Sequence, residues 1–273
     1  YLGSFIVLCV YKQTMAFRRV FAYLFILLLV ACQNEEGTTN IINVKDEVEI
    51  NLSQKPTGTL VSPSFLISTI DSVSCTNSEL VVKSQLENQT YKLDVLGVWV
   101  FGTCVTGKMI PVTETYFPAE TNEYILQLTL KNSISSRGKL TISDDQICVN
   151  MDKTTGISLE NQCINRISTG GVWGYIASHN AQQSAMISTF ITQNADPSFN
   201  PVFGNYGLFI LENGQTIRLD KAALPGSDKG QITQRYFKVA DWTSFIQKLD
   251  QFLSGLSDYS IKLTNYEGKV FER

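Results

Sequence analysis

Few residues in this 273-residue chain have the type and spacing that acid–base, metal or covalent chemistry requires. His179 is the only histidine, which excludes a metal site built from several imidazoles. A Ser-His-Asp triad would have to run through His179, and no G-x-S-x-G elbow supplies its serine. We read His179 as a surface or capping residue beside a helix start. No phosphate-binding loop or dinucleotide fingerprint occurs, so no cofactor is expected. Paired carboxylates can hydrolyse glycosides on almost any fold, and Asp94, Glu114, Glu120, Asp144 and Asp145 are available. Neighbouring acids on a strand point to opposite faces, so Asp144-Asp145 reads instead as the flank of a turn. Calcium binding by Asp144, Asp145 and Asp152 lacks the EF-hand spacing, and no metal is expected. Aromatic rings can stack on sugar faces, and Trp99, Tyr116, Phe117, Trp173, Tyr175 and Tyr206 are the rings to consider. Trp99 is expected in the core. Trp173, Tyr175 and Tyr206 form the candidate ligand-binding set, the first two placed to line a cleft between domains. Core packing is the competing reading for all three.

Cysteine usage points to an oxidising compartment. Apart from Cys9 and Cys32, the chain carries Cys75, Cys104, Cys148 and Cys163, an even number that permits three pairings. Cys75–Cys104 with Cys148–Cys163 is preferred. Asp152-Lys153-Thr154-Thr155-Gly156 is turn-like, and a hairpin centred there sets Cys148 opposite Cys163. The absence of any C-x-x-C pair argues against metal.

The elements that must position these residues fall into two regions. Residues 44–168 show short apolar or alternating runs at roughly ten-residue spacing, including 65–70, 80–83, 91–101, 124–130, 140–142 and 147–149. This predicts an antiparallel β-sandwich, with an immunoglobulin-like architecture as the first choice. Val98-Trp99-Val100-Phe101 reads as a strand covered on both faces. Ser168-Thr169-Gly170-Gly171 is the expected boundary. Residues 172–273 then read as a small α+β domain, so the fold class is mainly β with α+β. Its helices are expected at 182–192 and 241–256. In the second, Trp242, Phe245, Ile246, Leu249, Phe252, Leu253 and Leu256 form one apolar stripe behind the capping residue Asp241. Asn213-Gly214 between two apolar runs predicts a hairpin.

The most specific stretch lies upstream, in Met15–Glu36. Arg18 and Arg19 precede an apolar run from Val20 to Val30, too short for a spanning helix, and Leu29-Val30-Ala31-Cys32 closes it. This resembles the signal peptide and lipobox of bacterial lipoproteins. Glu35 and Glu36, close behind the cysteine, resemble the export signal of Bacteroidota surface lipoproteins. The resemblance implies a signal peptide over 15–31, a lipid on Cys32, and anchoring in the bacterial outer membrane with the cell-surface leaflet favoured. Residues 32–43 are then a tether, and residues 1–14 read as over-called upstream sequence. Without residues 1–32 the chain loses Lys12, Arg18 and Arg19 and no acid, leaving 19 basic against 25 acidic residues and a net charge of −6. That balance, with no basic run, excludes nucleic acid as a partner. The expected function is a non-catalytic binding or adhesion module for a glycan or another envelope protein. A carboxylate-dependent glycan hydrolase and a structural subunit of an envelope complex are the alternatives.

Overall fold

The computed structural model describes residues 47–58, 61–226 and 230–273. The expected signal peptide over 15–31, Cys32 and the expected tether over 32–43 lie outside the described residues. The first region contains β1 (Val48–Pro56), β2 (Val61–Thr69), β3 (Val73–Cys75), β4 (Ser78–Glu87), β5 (Thr90–Val100) and β6 (Thr106–Met109). It continues with β7 (Val112–Tyr116), β8 (Asn122–Leu130), β9 (Ile134–Ile142), β10 (Gln146–Met151), β11 (Ile157–Leu159) and β12 (Cys163–Asn165). A four-stranded sheet in the order β11-β1-β2-β7 and a six-stranded sheet in the order β12-β10-β9-β8-β5-β4 are joined by a small β3-β6 ribbon.

Alternation explains why the two large sheets pack. Val48, Ile50 and Leu52 on β1, with Phe65 and Ile67 on β2, share one core with Leu93 and Val95 on β5 and Leu126, Leu128 and Leu130 on β8. Burying each such side chain contributes roughly 1.5–3 kcal/mol. Phe65, Tyr91 and Phe117 close one end of this core, with Phe65 and Phe117 ring centroids 4.7 Å apart. The mainly β sandwich is as expected, with one departure. The β5–β8 and β1–β11 ladders are parallel, because hydrophobic alternation encodes which face is buried and not which way a strand runs.

The second region contains β13 (Gly171–Ser178), α1 (Ala181–Asn194), β14 (Gly204–Asn205), β15 (Phe209–Asn213), β16 (Thr216–Leu219), β17 (Gln231–Lys238), α2 (Trp242–Leu253), β18 (Tyr259–Asn265) and β19 (Val270–Glu272). Its seven strands run in the order β14-β15-β16-β17-β13-β18-β19. Strand β13 is central and buried along its whole length. One face, through Val172 and Ile176, meets Ile187 and Ile191 of α1 and Phe245, Leu249 and Leu253 of α2. The other face, through Trp173, meets Tyr206, Phe209, Leu211, Ile217 and Tyr236. The expected stripe builds α2, and Asp241 caps it by accepting from the Thr243 and Ser244 amides. The Asn213-Gly214 hairpin joins β15 to β16. Among the described residues, no helix is long and apolar enough to cross a membrane.

Val44–Arg273 is one compact unit, and a buried amide joins its two parts. Gln54, near the end of β1, is only 2% exposed. Its Nε2 donates to the Asn165 carbonyl at 2.8 Å and to the Tyr206 carbonyl at 2.9 Å, while its Oε1 accepts from the Ile167 amide at 3.2 Å. Asn165 continues the joint, its Nδ2 donating to the Val202 and Phe203 carbonyls at 3.3 and 3.1 Å. Gly207 sits against β1 at φ +78°, where an added Cβ would lie 2.8 Å from the Ser53 Cα. Only glycine allows both that backbone and that approach.

The disulfides are Cys75–Cys104 and Cys148–Cys163. Cys148 faces Cys163 directly in the β10–β12 ladder, although β11 intervenes and pairs with β1 in the other sheet. Replacing both Cys148 and Cys163 with serine should lower stability by about 3 kcal/mol, the chain-entropy value for a loop of this length, as read from urea unfolding. An unchanged midpoint would show that the β10–β12 ladder holds without its covalent tie.

Candidate functional site

The three aromatic residues singled out in the sequence lie inside the α+β half. Trp173 and Tyr175 are each 6% exposed and Tyr206 is 3% exposed. Trp173 packs on Phe209 at 5.9 Å between ring centroids, and Tyr206 stacks on the same Phe209 at 4.9 Å. Burial, reinforced by Tyr236 beside it, pushes the Tyr206 hydroxyl well above its ordinary value, so it stays protonated and donates to the Val202 carbonyl at 2.8 Å. Rings held this way have no face open for a ligand. Position after a glycine-rich segment did not separate a cleft wall from a central strand, and β13 is the latter.

The open aromatic residues lie elsewhere. On the outer face of the four-stranded sheet, Tyr116 is 43% exposed. It belongs to β7, an edge strand, where the period of two sets Glu114 and Tyr116 on the same face. The register places Tyr116 opposite Ser64 and Glu114 opposite Leu66. Glu114 Oε1 accepts from Ser64 Oγ at 2.8 Å. Its Oε2 accepts from the Tyr116 hydroxyl at 2.9 Å and from Lys55 Nζ at 3.1 Å. The Lys55 ammonium also stands 5.9 Å from the centre of the Tyr116 ring, within cation–π range. Partial burial raises the Glu114 carboxyl, but the Ser64, Lys55 and Tyr116 donors and the lysine charge outweigh it and hold the group below its ordinary value. Lys55 is raised, first by Tyr116 and then by Glu114. The result is a half-open ring framed by a fixed cation and a fixed carboxylate. Glu114 here is an ionised acceptor and not a proton donor, and its partners are a lysine and two hydroxyls.

Trp99 is 55% exposed and Phe101 is 54% exposed, which corrects the expectation that Trp99 sits in the core and that 98–101 is covered on both faces. Strand β5 runs on past the sandwich, and a continuous apolar run reads the same whether it is sheathed or projecting. The projection is rigidly built. Asn77 donates through Nδ2 to the Phe101 carbonyl at 2.6 Å and the Thr103 carbonyl at 3.0 Å, and its Oδ1 accepts from the Val105 amide at 2.9 Å. Cys75–Cys104 ties the same loop to β3. Val100 and Val105 are exposed beside the two aromatic residues.

The remaining sequence candidates do not converge. Asp144 and Asp145 are exposed in the turn between β9 and β10, where Asp144 accepts from Thr121. Asp94 lies on β5 and Glu120 between β7 and β8, in elements other than the one carrying Glu114. His179 is exposed just before α1, but the capping side chain is that of Asn180. Among the described residues, no group of three or more His, Cys, Asp and Glu could hold a metal ion. A cleft of about 350 Å³ lies between Thr169, Asp241, Trp242, Tyr266 and Lys269. Comparison with protein-family models, with curated proteins and with solved structures gives no match.

The Lys55–Glu114 cluster has a definite pH signature. A carboxyl depressed in the fold adds stability that is present above its unfolded value near 4.5 and is lost as pH falls through the lower folded value. Glu114→Gln should therefore be less stable than the native chain at neutral pH, with the difference shrinking in acid below that value. Urea unfolding of both chains across this range measures it. A constant difference would assign the effect to packing and not to charge.

Proposed function

We propose that this is a lipid-anchored protein of the bacterial cell envelope, held in the outer membrane through Cys32 and facing outward, with a non-catalytic binding role. Its ligand on this reading is a glycan taken at the outer face of the four-stranded sheet. The observation that carries it is the Tyr116 ring, half open and framed by Lys55 and Glu114. An apolar sugar face can stack on such a ring while its hydroxyls donate to the carboxylate and accept from the ammonium. A hydrolase would need a second carboxyl facing Glu114 across about 5–10 Å. The groups that engage Glu114 are instead Lys55, Tyr116 and Ser64. The anchor itself is supported by Arg18-Arg19, the short apolar run and Leu29-Val30-Ala31-Cys32.

A second reading, docking of another envelope protein, is favoured by Val202 and Phe203, which are exposed beside the Gln54 joint with their carbonyls held by Asn165. A glycan array probed with the native chain and with Tyr116→Ala separates the two. Glycan retention that falls about tenfold in the variant, equivalent to roughly 1.4 kcal/mol, supports the first reading. Absence of glycan binding, together with capture of an envelope protein that Phe203→Ser abolishes, would replace it with the second.

A further inference from the structure

The strand registers give the sandwich two distinct ends. Val48 of β1 pairs with Thr69, and Ile70 donates to the Glu47 carbonyl, so the described chain begins at the β2–β3 end, here called proximal. Gln54, six residues further along β1, marks the opposite, distal end, where Asn165, Ile167 and Tyr206 attach the α+β half. At about 3.3 Å per residue the two ends are roughly 20 Å apart along the strand. Strand β5 runs from distal to proximal. The Tyr91 hydroxyl donates to the Tyr116 carbonyl near the distal side. The Val95 carbonyl accepts from the Lys131 amide, and the Lys131 side chain pairs with Glu47 at the proximal side. Five more residues of β5 then continue in the same direction, so Val100 and the loop behind it overhang the proximal end by roughly 15 Å.

The loop with Trp99, Phe101 and Val105 is therefore carried on the same end from which the chain leads back toward Cys32. From Val95 to Thr113 there is no Asp or Glu, and Lys108 is the single charged residue, in a chain with 25 acids. Trp99 lies opposite the exposed Glu79 in the β4–β5 ladder, whereas Phe101 and Val105 lie beyond it. Tryptophan favours the headgroup level and smaller apolar side chains go deeper, an order that matches a shallow insertion. The loop is already fixed by Cys75–Cys104 and Asn77, so little conformational freedom is lost on contact. Fourteen residues separate Cys32 from Glu47, enough to reach at most about 50 Å, which leaves ample length for anchor and loop to meet one surface.

We propose that the braced loop Trp99–Val105 inserts into the lipid surface on which the chain is anchored, making a second membrane contact that stands the sandwich upright and holds the α+β half away from the bilayer. This rests on the lipid-anchor reading above.

The test uses the full chain purified from membranes, its acylation established by intact mass, in phosphatidylethanolamine–phosphatidylglycerol vesicles with brominated acyl chains. Comparison of the native chain with Trp99→Phe isolates the Trp99 emission from that of Trp173 and Trp242. The expected result is a blue-shifted Trp99 emission that loses most of its intensity in brominated vesicles, more with bromine near the glycerol end than deep in the chain. Acylated Cys32 with Trp99 unquenched would overturn the insertion and leave the anchor standing. Quenched Trp99 with no acyl chain on Cys32 would support the lipid contact and remove the anchor. Protection of Trp99 that depends on protein concentration without vesicles would overturn the proposal in favour of contact between copies.

Discussion

The amide of Gln54 is the contact on which the arrangement of this molecule depends. It sits near the end of the strand that begins the described fold, and its hydrogen bonds go to main-chain groups at Asn165 and Ile167, where the sandwich ends, and at Tyr206 in the α+β half. Main-chain partners cannot swing away as side chains can, so the amide fixes position as well as affinity. Loss of the side chain would strand three buried backbone groups, each costing about 1–3 kcal/mol if no water replaces it. Around it, Asn165 fastens the 202–203 turn, Gly207 allows the 206–208 turn to approach β1, and Ser168 bonds the Tyr236 hydroxyl. The sandwich core and the two cores of the α+β half are separate apolar clusters. The connection between them combines the Gln54 and Asn165 hydrogen bonds with Val61 and Ile167, which pack against the Tyr236 cluster.

Directionality is what gives the surfaces their meaning. Because β1 carries the start of the described chain at one end and the Gln54 joint at the other, the features of the sandwich order themselves along one axis. The apolar loop of Trp99 and Phe101 is proximal, the Tyr116 face lies toward the distal side on an edge strand, and the α+β half is attached at the distal end. Surface salt bridges such as Lys92–Glu87, Lys139–Glu123 and Arg218–Glu212 lie on exposed ground and contribute little to this order. The Lys55–Glu114–Tyr116 group differs because its members are tied to each other and to the buried Ser64, which presents the ring and charges in a fixed geometry.

Much of the fold was legible because local rules and tertiary structure agree. The α2 stripe, the Asp241 cap, the Asn213-Gly214 hairpin and the alternation of β8 each combine a period or turn chemistry with the face that is in fact buried. Cys148 and Cys163 were placed opposite one another by a symmetric turn, and the ladder sets them there even though the intervening chain visits another sheet. The site was less legible. Trp173 and Tyr206 had the composition of a binding cleft but fill a core, since β13 became an interior strand of a seven-stranded sheet and that depends on partners far away in sequence. Trp99 had the composition of a core strand but projects, because β4 follows β5 to Val100 while the pairing with β8 ends at Val95. Glu114 and Tyr116 were visible as residues, while their meeting with Lys55 depends on a β1-β2-β7 order that no local pattern encodes.

Hydrogen exchange followed by mass spectrometry on the native chain and on Gln54→Ala tests the central claim, that this amide makes the two halves one structure. In the native chain, peptides from β1–β2 and from β13–β17 should share a common slowest opening. In Gln54→Ala the α+β peptides should open first, by about 1–3 kcal/mol, while the Phe65 and Leu126 core keeps its protection. Independent opening of the two sets of peptides in the native chain, or equal loss of protection in both on substitution, would contradict it.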